Sequence, residues 1–248
     1  MITRSENCFD EVRLILAFIV LVAHTSVLAT AEPLAWFAKY FDSDFAVKSF
    51  FAISGYLVTK SYLSSDNFFQ YLEKRVRRIY PAYILAILFC VAVGFCTTNL
   101  NTIDFVSHPG LIKYLVANLA FLNFLQPNLP GAIPYNEIPA LNGSLWTIKI
   151  EMMLYFCVPI LIILHRKIGP YVTLLISLVV GITWYVYFSQ LFSHSTGQTI
   201  SRQFPGQLPF FAFGSMLGFF VLKKMSSVSV VVISSLYFVF LKGASKKS

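Results

Sequence analysis

Asp10, Arg13 and His24 share one long apolar stretch, DEVRLILAFIVLVAHTSVLATA, residues 10–31. In a helix turning ~100° per residue, Arg13 and His24 fall within ~20° of one face, three turns and ~16 Å apart. Asp10 lies within ~40° of that face. An ionisable side chain in lipid is costly, so it normally faces the protein interior or a water-filled cavity. The stripe therefore predicts a polar channel rising along this helix from the membrane surface. Histidine titrates near neutrality and can take a proton from a hydroxyl nucleophile, or carry a transferred group itself. The competing reading of His24 is a structural hydrogen bond to a neighbouring helix. No sequence motif for a Ser-His-Asp triad is visible.

Arg75 and Arg78 lie in QYLEKRVRRIYP, residues 70–81. Their i,i+3 spacing predicts a shared helix face, and Lys74 and Arg77 make the cluster dense. Guanidinium groups bind phosphate in bidentate fashion, so the pair suits a phosphate clamp on a large anionic cytosolic donor. The same cluster also reads as a topology signal that binds anionic lipid. Glu151 sits at the start of an apolar run in SLWTIKIEMMLYF, residues 144–156. A carboxylate there is a functional-site candidate or half of a structural ion pair. Lys149, two residues earlier, points in a different direction. FFAISGYL, residues 50–57, interrupts its run with Ser54-Gly55, which predicts close helix packing. The four cysteines are scattered without a C-x-x-C and read as buried thiols. No cluster of metal ligands is expected.

The elements that must position these residues are membrane helices. The chain is 57% hydrophobic and only 12% charged, with mean hydropathy +0.70. That composition predicts an all-α polytopic membrane protein with about seven to eight transmembrane helices. The expected spans are residues 12–31, 45–62, 80–98, 145–164, 171–191, 206–222 and 228–241. Leu111–Leu125 is apolar but short, near ~22 Å if helical, and is expected to lie along the interface or re-enter. Residues 10–31 loosely imitate a secretory signal peptide ending in Ala29-Thr30-Ala31, but Asp10 and Glu11 stand where basic residues belong.

The formal net charge of +8 comes mostly from short clusters between apolar runs, which points to membrane orientation. No aromatic-interleaved basic stripe or zinc-finger spacing is present, so nucleic acid is not expected as a partner. Positive charge around Lys60 and residues 74–78 places that loop and the N-terminus in the cytoplasm. His165-Arg166-Lys167 and Lys223-Lys224 join them there if Leu111–Leu125 does not cross. Lys242, Lys246 and Lys247 then land on the far side, against the rule.

Four segments in this order resemble the acyltransferase-3 family of integral membrane acyltransferases. They are D-x-x-R with R-x10-H (Asp10, Arg13, His24), FFAISGYL, the R-x-x-R loop ending in RIYP (Arg75, Arg78 and on to Pro81), and SLW-x4-E-x3-Y (Ser144 to Trp146, Glu151, Tyr155). The resemblance covers most of residues 7–165 and thins beyond. It implies a single membrane acyltransferase domain over 1–248 in the bacterial inner membrane. Such a protein takes an acyl group, usually acetyl, from cytoplasmic acyl-CoA and delivers it to a hydroxyl of a cell-surface or exported glycan. Acyl-CoA is then the co-substrate, a carbohydrate the acceptor and the lipid bilayer the setting.

The resemblance implies that His24, Arg13, Arg75 and Arg78 are essential. The mechanism expected for them puts Arg13, Arg75 and Arg78 on the donor phosphates and His24 in catalysis, with Asp10 orienting Arg13 and Glu151 contacting the acceptor or tuning His24. The chain departs from the family in having fewer spans, in Tyr56 where phenylalanine is common, and in Lys149 beside Glu151. No fused hydrolase-like domain is expected at the C-terminus, and the later spans, 171–241, are expected to be an incomplete set. Two other functions fit the same charges: a transporter or flippase with a polar permeation path, and an inactive truncated scaffold.

Overall fold

The computed structural model describes residues 9–28, 43–132, 143–191 and 194–220. These residues are helical almost throughout. The helices are α1 (Phe9–Leu28), α2 (Ser43–Leu63), α3 (Phe68–Thr97), α4 (Thr102–Ser107), α5 (Pro109–Leu119), α6 (Trp146–Lys167), α7 (Pro170–Leu191), α8 (His194–Ser201) and α9 (Phe204–Phe220). A short 3-10 turn, Gly143–Leu145, leads into α6. Among the described residues the one strand-like feature is a bridge between Thr98 and Ala132. Helices α3, α6 and α7 are long and apolar enough to cross a membrane. α1 and α2 have similar lengths, 20 and 21 residues, but carry several charges. The expected span at 228–241 lies outside the described residues.

The chain forms two compact units: residues 1–64 with 153–248, and residues 65–152. In the first unit, α2 and α9 run parallel and unusually close. Gly214 and Gly218 on α9 present no side chain. A Cβ on Gly214 would overlap the Ala52 carbonyl oxygen, and one on Gly218 would come within 2.8 Å of the Tyr56 carbonyl. Gly55 on α2 answers them, because a Cβ there would overlap the Phe211 carbonyl. Small residues four apart let two backbones approach in a membrane, where packing replaces the hydrophobic effect between helices. This is the close packing expected for the Ser54-Gly55 break. On another side, Gly181 of α7 makes room for the Pro209 ring of α9.

α1 packs on α2. The Phe9 ring, at its beginning, lies 5.3 Å from Tyr56, near the end of α2. His165, near the end of α6, lies 3.2 Å from Ser215 of α9. Ser215 in turn accepts a hydrogen bond of 2.8 Å from Thr59, near the end of α2. So α2, α6 and α9 all finish at one end of this unit, with Lys60, Arg166 and Lys167 beside those ends.

The second unit is built on α3. Asn67 caps it by accepting from the Gln70 N–H at 2.9 Å. Tyr83, Ile87 and Cys90 recur at helical spacing and form a core with Phe105, Leu111, Tyr114, Leu129, Ala132 and Leu145. Pro109 opens α5, and His108 caps it by accepting from the Gly110 N–H at 3.0 Å.

α5 is a descending half-hairpin. Above its upper end, Phe105 of α4 meets Phe95 of α3 at 5.6 Å. At its lower end the Tyr80 and Tyr83 hydroxyls donate to the carbonyls of Leu119 and Asn118, at 3.0 and 2.8 Å. Those levels on α3 are about fifteen residues apart, or ~22 Å. The chain then turns and returns, and the Asn99 N–H donates to the Gly131 carbonyl at 3.1 Å. Both ends of the segment therefore lie at one level, and Leu111–Leu125 re-enters rather than crosses.

Irregular backbone within a membrane must be satisfied by protein. Here Tyr80 supplies a donor for the helix-end carbonyl of Leu119, and Tyr83 adds one to the Asn118 carbonyl, which also accepts from the Phe121 N–H. Asn118, 1% exposed, donates to the Tyr114 carbonyl at 2.9 Å and to the Gln126 carbonyl at 3.2 Å, tying the two limbs together.

Candidate active site

α1 is one unbroken helix from Phe9 to Leu28, so the register that aligns Asp10, Arg13 and His24 holds along its length. Asp10 is exposed in its first turn and Arg13 is half-buried. The backbone of His24 is part of α1, and its side chain lies outside the described atoms. Two acidic residues, Asp10 and Glu11, stand in the first turn, where negative charge complements the helix dipole. Arg13 follows one turn later, at the same end of the first unit as the Lys60 and Arg166-Lys167 helix ends.

Arg75 and Arg78 lie on α3 in the second unit, with unequal surroundings. Arg75 is 9% exposed, one turn after the fully buried Tyr71. Arg78, ~60° further round the helix, is exposed. Its neighbour Arg77 forms an exposed ion pair with Glu73 at 2.6 Å, and Lys74 donates to Ser65 at 3.0 Å. A guanidinium that is nine-tenths buried is not needed as a topology signal, which any exposed lysine provides. The two arginines therefore divide into one held within the protein and one facing outward.

Glu151 is half-buried in the first turns of α6. Lys149, just before it, is held over the Phe124 ring of the re-entrant segment at 4.6 Å. Further along α6, the Tyr155 hydroxyl accepts from Ser54 at 3.4 Å, both side chains being buried. That bond joins the FFAISGYL motif to the SLW motif. Asp10, Arg13 and His24 thus belong to the first unit, and Arg75, Arg78 and Glu151 to the second. Among the described residues no group of three metal-ligating side chains gathers.

The motif segments thus occupy helices α1, α2, α3 and α6, in the order of the resemblance. A family model described as an acyltransferase domain matches residues 6–244. The chain belongs to the acyltransferase-3 family. An O-acetyl transferase of Shigella phage Sf6 is 33% identical over 165 residues, 66% of this chain and 47% of that protein. Nodulation protein 10 of Rhizobium leguminosarum bv. viciae is 29% identical over 174 residues, 65% of this chain and 45% of that protein. An uncharacterized protein of Haemophilus influenzae is 30% identical over 127 residues, 50% of this chain and 49% of that protein. The chain spans about half the length of these relatives. No solved structure matches it.

Sequence reasoning passed over Thr59, Ser215, His165 and Asn118 as functional groups. Thr59 and His165 stand beside the basic residues Lys60 and Arg166-Lys167, Ser215 and Asn118 are single polar residues in apolar runs, and only the packing of distant segments brings the first three together.

Proposed function

We propose that this family member transfers an acyl group, acetyl in the first instance, from acyl-CoA to a glycan hydroxyl. The observation that carries this reading is the family match over residues 6–244, joined to the similarity to a phage O-acetyl transferase. The donor is cytoplasmic acetyl-CoA, and the acceptor is a cell-surface or exported carbohydrate. The protein sits in the bacterial inner membrane with its N-terminus inside. The basic residues beside the shared ends of α2 and α6 favour that orientation.

In this reading Arg13, Arg75 and Arg78 hold the phosphates of the donor, and Asp10 orients Arg13. The thioester extends along the polar stripe of α1. His24 takes the proton from the acceptor hydroxyl as its oxygen adds to the thioester carbonyl. The carbon–sulfur bond breaks, and the imidazolium returns its proton to the departing thiolate. The products are the O-acetyl ester and free CoA thiol. Glu151 positions the acceptor. The bilayer-buried site keeps water from the thioester, which would otherwise hydrolyse it.

The test is made in the source bacterium. Deleting the gene should remove O-acetyl groups from one surface or exported polysaccharide, and the gene in trans should restore them. An unchanged acetyl content across all such glycans would reject the acceptor class.

A further inference from the structure

One buried polar cluster has no place in this mechanism. Thr59, Ser215 and His165 come from α2, α9 and α6 and are 0%, 0% and 2% exposed. The Thr59 hydroxyl donates to Ser215 Oγ at 2.8 Å, and Ser215 Oγ lies 3.2 Å from His165 Nε2. The His165 ring packs on Phe219 at 5.2 Å. Its Nδ1 is buried with no hydrogen-bond partner among the described residues. An apolar side chain would fill that space without this cost, so the bond through Nε2 is what the imidazole adds.

We propose that Thr59, Ser215 and His165 form a positioning network for the donor end of α1. Three helix ends are pinned by it at one point. On α2 the pinned residue lies one turn from Tyr56, whose carbonyl is close enough to Gly218 to leave no room for a Cβ. Tyr56 is the seat of Phe9, which is 4% exposed, and Phe9 opens the helix that carries Asp10 and Arg13. Leu16, two turns after Phe9 on the same face, is 6% exposed. The glycine contacts let α2 and α9 approach, but a smooth contact of small residues can slide or rotate. Hydrogen bonds are directional, and in lipid an unpaired hydroxyl is costly, so the network holds one register. These residues position others and touch no substrate. The donor part of the claim rests on the proposed function; the seating of α1 does not.

The test separates the two. Leu16→Cys is placed in a background whose native cysteines are replaced, and its alkylation is timed in detergent without substrate. Thr59→Val, nearly isosteric, and Ser215→Ala are then introduced. Each should speed alkylation of the new cysteine by about three- to ten-fold, the range set by one hydrogen bond. Each should also raise KM for acetyl-CoA by a similar factor, with kcat within about two-fold of the parent. Thr59→Ser, which keeps the hydroxyl, should behave as the parent. The double variant should be no worse than Ser215→Ala alone, since both remove the same bond.

Unchanged alkylation in both single variants would overturn the network. Faster alkylation with an unchanged KM would overturn its link to the donor. Faster alkylation in a protein whose parent never turns over acetyl-CoA would uphold the network and reject the proposed donor instead.

Discussion

The Phe121 ring lies stacked on Tyr83, with centroids 4.7 Å apart and planes 18° from parallel. Phe121 holds this place with φ of 61°, in the left-handed region. It closes α5 in a Schellman arrangement: the Leu122 N–H donates to the Ala117 carbonyl at 2.7 Å, and the Phe121 N–H to the Asn118 carbonyl at 2.9 Å. Glycine usually occupies this position because a Cβ is strained there. Stacking on Tyr83, together with an edge contact to Tyr80 at 5.3 Å, offsets that strain. Phe121→Ala should lose the rings and keep the strain, whereas Phe121→Gly should lose the rings and relieve it. Alanine should therefore be the more destabilising by about 1 kcal/mol, measured as thermal stability in detergent. A glycine variant no more stable than the alanine variant would contradict this.

The close approach of α2 and α9 gives a sharper contrast. A Cβ on Gly214 meets backbone of Ala52 and Tyr56, which cannot rotate away. Gly214→Val should cost about 3 kcal/mol or more and leave little folded protein. Gly143→Ala meets nothing within 4 Å and should accumulate normally. Detergent-soluble yield on a size-exclusion column distinguishes the two, and equal yields would dispute the register of this helix pair.

The arginines of α3 should bind phosphate, and a charge-conserving exchange tests it. Orientation counts lysine and arginine alike, but bidentate phosphate recognition does not. Arg75→Lys with Arg78→Lys should leave topology unchanged and weaken acyl-CoA binding by ~1–3 kcal/mol. Arg75 should carry the larger share, because its surroundings exclude water. Full activity of the double variant at low acetyl-CoA would leave only the orienting role.

Orientation itself is open to labelling. In a cysteine-free background, Ser64→Cys after α2 should resist a membrane-impermeant thiol reagent in intact cells. Ser107→Cys, above the re-entrant segment, should react. The reverse pattern would put the donor arginines outside the cell and dismiss a cytosolic donor.

Much of this architecture is legible in the chain. The apolar windows mark the long helices, and the shortness of Leu111–Leu125 marks the segment that does not cross. Ser54-Gly55 marks a close contact, though not its partner. Gly214 and Gly218 sit four apart outside the four motif segments, and nothing in their spacing names Gly55 as the partner, so the facing surface appears only on folding. Phe121 gives no sign of a helix end, since the usual sign is glycine and tertiary stacking replaces it. Arg75 and Arg78 have the spacing of one face, yet ~60° is enough to put one inside and one out. Thr59, His165 and Ser215 share no spacing at all, because their pairing depends on three helices from distant parts of the chain.

The central claim is that α1 carries the residue that accepts the hydroxyl proton, and His24→Ala tests it most directly. The change neither shortens nor breaks the helix, so insertion should be intact. With purified protein, radiolabelled acetyl-CoA and membranes from the deletion strain as acceptor, acetyl transfer and CoA release should fall by about a hundred-fold or more relative to wild type. A His24→Ala protein that transfers acetyl groups at close to the wild-type rate would contradict the account.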